Sequence, residues 1–308
     1  MSTELIIALI KANLILGVLL TNTILLIWFE RKLVAGMQSR VGPDRAGPFG
    51  LLQTVADAIK LLLKEQIMPL KADRAMYLLA PILALVPSFL IFMIIPLGPD
   101  LNIEVGGKNY AVDFVGADLN VGVLYFLALS SIAVYSVVLA GWSSGSKYPL
   151  LGGVRASAQM ISYEAAMGLS LVPVILYAGS LSLVDIVSSQ AGNLSTSIPI
   201  LSSIVSFIPK WNIFPQFIAF GIFFISAVAE VNRAPFDLVE AEQELVGGFH
   251  TEYSGFRFAM FFLAEYINMF NMCAITATFF LGGWLGPTFE NFLPPVLSAI
   301  MPIIWLGV

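Results

Sequence analysis

The sequence predicts an all-α fold, a polytopic bundle of transmembrane helices, and three observations carry that prediction. Of its 308 residues, 58% are hydrophobic and only 11% are charged. Mean hydropathy is +0.89. The apolar residues fall in runs of about 20, the length a helix needs to cross a bilayer. A spanning segment must satisfy its own backbone hydrogen bonds, and for runs of this length that means helices. Residues 1–308 then form a single transmembrane domain. The one cysteine, Cys273, lies in an apolar run, which excludes an internal disulfide framework and a Cys-ligated metal centre.

Seven spans are expected, at residues 5–29, 76–97, 118–141, 157–178, 213–230, 258–284 and 291–308. The first carries Glu4 near its start and lacks a basic leader region and a small-residue cleavage site, so it reads as a retained span. The last runs to Val308 without a polar flank, as in a chain that stops inside its seventh helix. Connection 30–75 holds eight of the fifteen Lys and Arg residues, and connections 142–156 and 231–257 hold two each. The alternate connections, 98–117 and 179–212, hold only Lys108 and Lys210. Basic connections stay on the cytoplasmic side, or its organellar equivalent, so the N-terminus is expected to face away from it. Segment 180–211 is Ser-rich, and its apolar stretch at 198–209 is too short to span; a small helix on the outer surface is expected there. No internal repeat is evident, so an inverted-repeat transporter gains no support.

The connections on the basic side carry the chemistry. The first reads ERKLVAGMQSRVGPDRAGPFGLLQTVADAIKLLLKE. Its Gly- and Pro-rich opening turns the chain. Over residues 51–65, Gln53, Asp57, Lys60 and Lys64 form one polar stripe beside Leu51, Val55, Ile59 and Leu62, the pattern of an interfacial amphipathic helix. Such a helix either anchors on the membrane surface or walls a pocket at membrane depth. The second connection leads through SYEAAMG into the fourth span and carries Glu164 into it. An unpaired carboxylate there costs about 2.5–3.5 kcal/mol. Glu164 is therefore expected to be partnered or protonated, in a structural hydrogen bond or a proton path.

The third connection reads EVNRAPFDLVEAEQELVGGFHTE, with six carboxylates, Arg233 and the only histidine, His250, within Glu230–Glu252. Asp237, Glu240 and Glu244 share a helical face, with Glu242 off it. Four acids in eight residues repel one another, and they sit among Phe, Leu and Val, which argues against a merely solvated loop. Arg233 is the internal counter-ion. His250 is either a relay or polar surface. In the sixth span Glu265, Asn268 and Asn271 are spaced three apart on one face, and an intramembrane acid is a functional candidate.

These three connections together resemble the H-type, quinone-chamber membrane subunit of respiratory complex I, the proton-pumping NADH:quinone oxidoreductase. The similarity rests on the first-connection sequence, on SYEAAMG, and on EVNRAPFDLVEAEQELVGGFHTEYSGFRFAMFFLAEY, and it runs from about residue 5 to the end. The resemblance implies a translocase subunit in a respiratory electron-transport chain. The chain itself would hold no redox centre, no metal site and no catalytic residue. Quinone (ubiquinone or a relative) would be the substrate, and NADH, FMN and iron–sulfur clusters would belong to partner subunits. It implies a quinone chamber involving Glu30, Arg31, Lys32, Arg40, Asp57 and Glu65. It also implies proton coupling through Glu164, Glu230, Arg233, Asp237, Glu240, Glu242, Glu244, Glu252, Tyr253 and Glu265. Loop 230–257 would be the acidic coupling loop. The family continues through an Arg/Pro-rich motif and an eighth helix, and this sequence stops before both. The implied partners are the cluster-bearing and quinone-site peripheral subunits, small membrane subunits and the lipid bilayer, with no nucleic acid, in a bacterial inner membrane or an organellar one. Three other readings remain at this point: the homologous membrane subunit of an energy-converting hydrogenase or formate-oxidising complex, a stand-alone cation or proton transporter, and a passive assembly scaffold.

Overall fold

The computed structural model describes residues 3–99, 101–105, 108–112, 114–192, 209–237 and 246–285. In chain order its helices are α1 (Thr3–Met37), α2 (Gln53–Leu63), α3 (Arg74–Met93), α4 (Gly122–Ser143), α5 (Lys147–Ala178), α6 (Leu183–Ser189), α7 (Phe217–Glu230) and α8 (Gly255–Phe280). Single 3-10 turns at Pro48–Gly50 and Gly248–His250 precede α2 and α8. Among the described residues, five helices (α1, α3, α4, α5 and α8) are long and apolar enough to cross a membrane. The chain is therefore membrane-embedded and helical, as expected.

The expected spans differ from the helices in instructive ways. Helix α7 has 14 residues, about 21 Å of helix at 1.5 Å per residue, short of a 30 Å hydrocarbon core. The expected span at 291–308 lies outside the described residues, so five qualifying helices and one short one stand where seven were expected. Residues 147–156, expected as a connection, are the first turns of α5. The connection at 98–117 contains an antiparallel hairpin, β1 (Leu101–Val105) with β2 (Lys108–Val112), in register Val105↔Lys108 through Leu101↔Val112. The Ser-rich segment at 180–211 forms α6, while its stretch at 198–209 falls almost wholly outside the described residues.

The chain divides into two compact units. The first comprises residues 1–90, 129–162 and 228–270. Its core brings Tyr77, Ala80 and Ala84 of α3 against Val134, Val137 and Ala140 of α4, Ala156 and Met160 of α5, Phe249 and Tyr253 just before α8, and Phe261 and Ala264 within it. Tyr77 and Tyr253 stack face to face, 4.1 Å between centroids and 4° from parallel. The Tyr77 hydroxyl donates to the Glu252 carbonyl at 2.8 Å, so ring stacking and a satisfied phenol together fix the start of α8 on α3. The loop after α1 closes on itself through Gly50. Its φ is +77° and a Cβ there would lie 2.3 Å from the Pro43 carbonyl oxygen, so only glycine fits.

The second unit, residues 91–128, 163–227 and 271–308, is organised by one buried amide. Gln190 Nε2 donates to the Thr278 carbonyl at 2.9 Å, and its Oε1 accepts from the backbone N–H groups of Asn212 and Gly282 at 3.2 and 3.1 Å. Phe223, Phe279 and Phe280 fill the space beneath.

Candidate functional site

The site lies in the first unit and is built on Arg233. Helix α7 ends at Glu230, and the chain turns over Val231–Phe236, with Asn232 at φ +56° and a cis Ala234–Pro235 bond. Asn tolerates the left-handed region better than other non-glycine residues. The turn carries Arg233 between two acids from distant helices. Its Nη1 is 2.9 Å from Glu30 Oε1 in the C-terminal part of α1, and its Nε is 3.2 Å from Glu265 Oε1 of α8. The guanidinium also lies over the Tyr266 ring, 4.7 Å from the centroid. Burial alone would lower the Arg233 pKa; its hydrogen bond with Tyr266 and the charges of Glu265 and Glu30 more than offset that and raise it. Arg233 is thus a fixed cation, and one positive charge serves two carboxylates.

A second pair ties α1 to α2. Arg31 is hydrogen-bonded to Asp57, which also accepts from Gln53 Nε2 at 3.2 Å and lies 3.7 Å from Lys60. Burial pushes the Asp57 carboxyl up, but the Arg31 bond and charge, the Gln53 bond and the Lys60 charge outweigh it and hold the pKa below its ordinary value. Asp57 is therefore ionised, and α2 is clamped along α1 while Ile59, Leu62 and Leu63 stay exposed.

Three cavities adjoin these groups. The largest, about 500 Å³, lies among α1, α2 and α8, lined by Leu20, Ile24, Ile27, Val55, Ala58, Leu62, Phe258 and Leu263 and by Arg31, Asp57 and Lys60. A second, about 370 Å³, is lined by Glu30, Arg31, Arg40, Tyr266 and residues 41–43. Arg31 borders both. The third, about 70 Å³, is small and partly polar, with Ser136, Glu230, Asn232, His250, Glu265 and Asn268 in its wall. That volume accommodates a few water molecules. Glu230 is 7% exposed and accepts from Ser130 Oγ at 2.9 Å. Among the described residues no group of three or more His, Cys, Asp or Glu side chains is arranged to hold a metal ion.

The expected site residues separate on this geometry. Glu30, Arg31, Arg40, Asp57, Glu230 and Glu265 line the cavities, and Arg233 pairs with two of them, Glu30 and Glu265. Lys32 instead holds the 41–45 loop, donating to the Pro43 carbonyl at 2.7 Å and lying 3.8 Å from Asp44. Glu65, Glu252 and Tyr253 line none of the three cavities; Tyr253 is a core side chain and Asp237 is exposed. Glu164 belongs to the second unit, partly buried on α5. Glu240, Glu242 and Glu244 lie outside the described residues. Sequence reasoning missed Tyr266, Ser130 and Gln159; the first stands next to an acid already flagged, and the other two are neutral polar residues that no local pattern distinguishes from their polar neighbours.

His250 is mostly buried, edge-on to Phe249 and Phe258, and burial lowers its pKa to about 4. It is neutral near pH 7. Its folded pKa lies below the value of about 6.5 in an unfolded chain. Stability is therefore full above about pH 6.5 and falls as pH drops toward the folded value, because only the unfolded chain takes up the proton. His250→Asn is expected to reduce the loss of thermal stability of the assembled protein between pH 7 and pH 5. An unchanged loss in the variant would remove His250 as its source.

Comparison with known proteins identifies the family. The sequence profile described as NADH dehydrogenase matches residues 10–308. The second H-type NADH-quinone oxidoreductase subunit of Koribacter versatilis is 49% identical over 309 residues, covering 98% of this chain and 83% of the relative. The chain belongs to the family of H-type NADH-quinone oxidoreductase subunits. The second H-type subunit of Geobacter metallireducens is 50% identical over 290 residues, covering 90% of this chain and 79% of the relative. The H-type subunit of Brevibacillus brevis is 48% identical over 296 residues, covering 96% and 77%. Membership in the H-type family makes this chain a membrane subunit of a multi-chain oxidoreductase, in accord with the resemblance carried by the three connections.

Proposed function

We propose that this subunit forms the membrane side of a quinone chamber in a proton-translocating NADH:quinone oxidoreductase and begins the coupling of quinone chemistry to proton uptake. One observation carries the reading. An apolar cavity among α1, α2 and α8 shares one wall residue, Arg31, with a second cavity bounded by Glu30, Arg40 and Tyr266. A quinone has an apolar tail and a polar head, and this pair of spaces has the same order. Arg31 and Arg40 would position the head, with Glu30, Lys32, Asp57 and Glu65 holding the surrounding loop. Adding electrons to a quinone in a low-dielectric space creates charge that nearby carboxylates feel strongly. Glu230 and Glu265, both in the wall of a cavity large enough for water, would take up that disturbance. Glu164, Asp237, Glu240, Glu242, Glu244, Glu252 and Tyr253 complete the proposed coupling set, with Arg233 as its fixed counter-charge.

On this reading electrons arrive from an iron–sulfur cluster in a neighbouring peripheral subunit, and small membrane subunits pack alongside. The membrane is a bacterial inner membrane, with the N-terminus facing away from the cytoplasm. The test is Ala58→Trp, which fills the apolar cavity. In the assembled enzyme it is expected to raise KM for a long-tailed quinone about fivefold or more, the equivalent of roughly 1 kcal/mol of lost apolar contact, and to leave a short-tailed analogue nearly unaffected. Equal KM values for both quinones in variant and wild type would exclude the cavity as the tail's route.

A further inference from the structure

Gln159 lies on α5, in the first unit, and no feature of its local sequence marks it. Its amide nitrogen donates two hydrogen bonds, to the Ala229 carbonyl at 3.1 Å and to the Phe236 carbonyl at 2.8 Å. Those carbonyls stand at the two ends of the turn that carries Arg233. One immediately precedes Glu230 and the other immediately precedes Asp237. Both amide hydrogens are used, so the orientation of the group is decided: a flipped amide would set its oxygen against two carbonyl oxygens. A carbonyl pair held by one NH₂ group cannot separate without losing a bond. The neighbouring residue, Met160, packs in the core at 6% exposure and lines the small polar cavity. Helix α5 therefore touches the cavity wall and the turn at consecutive positions.

We infer that Gln159 is a positioning residue for coupling: it sets the spacing of the Arg233 turn and so the placement of the guanidinium between Glu30 and Glu265. The inference rests on the proposed coupling role of that cluster. Gln159 touches no reacting atom; it acts through Arg233. Loss of its donors lets the turn widen, and the guanidinium then spends less time bridging both acids.

The experiment uses the assembled complex with Gln159→Met, which keeps the side-chain length and removes both donors, and Gln159→Glu, which places oxygen against the two carbonyls. In Gln159→Met, kcat for quinone reduction is expected to fall about three- to tenfold, the rate equivalent of one or two ordinary hydrogen bonds. KM should change less than about twofold, because substrate contacts are untouched. Protons translocated per electron should fall as well, while NADH oxidation by an artificial acceptor that bypasses quinone stays at the wild-type level. Gln159→Glu should be more severe than Gln159→Met. A purely structural role would lower the amount of assembled complex and leave kcat and proton stoichiometry per complex unchanged, and that result overturns the inference. Should the methionine variant not assemble, Gln159→Asn retains the donors with a shorter reach; wild-type turnover and stoichiometry in it also overturn the inference. Arg233→Met separates the two levels. If Arg233→Met impairs coupling and the Gln159 variants do not, only the Gln159 assignment fails. If both leave coupling intact, the coupling role of the cluster fails with it.

Discussion

Replacing Arg233 with methionine is expected to remove most quinone-reductase activity and to lower the amount of assembled complex. The guanidinium is the shared partner of Glu30 and Glu265, at 2.9 and 3.2 Å. Methionine leaves two acids facing each other across a partly buried junction. Breaking a fully buried pair by removing one partner costs about 3–5 kcal/mol. The side chains here retain 24–34% exposure, so a discounted figure of roughly 2 kcal/mol is the expectation. Arg233→Lys should be intermediate, because an ammonium does not reproduce the planar fork that reaches both acids and stacks on Tyr266. The decisive measurement is a compensation series. Glu265→Gln introduced into the Arg233→Met background removes one of the stranded charges and should restore assembly by at least half of what was lost. Additive losses in the double variant would mean that the two residues are not energetically coupled.

Gly152→Ala is the second large effect. A Cβ on Gly152 would lie 2.8–2.9 Å from the backbone of Gly248 and Phe249. Backbone atoms do not rotate out of the way as side-chain ends do. The 3-10 turn at 248–250 must shift, and it carries Phe249 into the core and His250 into the cavity wall. Overpacking of this kind costs about 1–3 kcal/mol. The amount of complex in the membrane should fall several-fold, and complexes that do assemble should turn over more slowly. Gly17→Ala on α1 is the control: nothing lies within 4 Å of its added methyl, and a helical Gly→Ala change favours the helix. Equal assembly of the two variants would show that the α5 contact is slack in the membrane.

Five long helices were legible because a bilayer imposes length and apolarity on a helix that crosses it. Their ends were less so: Lys147 and Arg155 read as a polar connection, yet polar residues extend α5 beyond its apolar part. The hairpin was readable in principle. LNIEV and KNYAV flank Gly106–Gly107, a strong two-residue hairpin signal, but it was eclipsed by the helical expectation. At the site, the acids announced themselves by their cost. Their pairing did not, because Glu30, Arg233 and Glu265 are brought together only by tertiary packing. Gln159 left no trace, since an amide that serves two backbone carbonyls resembles any other polar residue in a helix.

The spacing of the Arg233 junction along the chain has a consequence for biosynthesis. Arg233 follows Glu30 by 203 residues, on the order of ten to forty seconds of translation at 5–20 residues per second. Throughout that interval Glu30 lacks the guanidinium it pairs with in the folded subunit, and Glu265 arrives later still. The first helix must wait for the last part of the junction to be made. Newly inserted chains are therefore most vulnerable to quality-control proteolysis before α8 emerges, and a truncation upstream of Arg233 would leave Glu30 permanently without its mate.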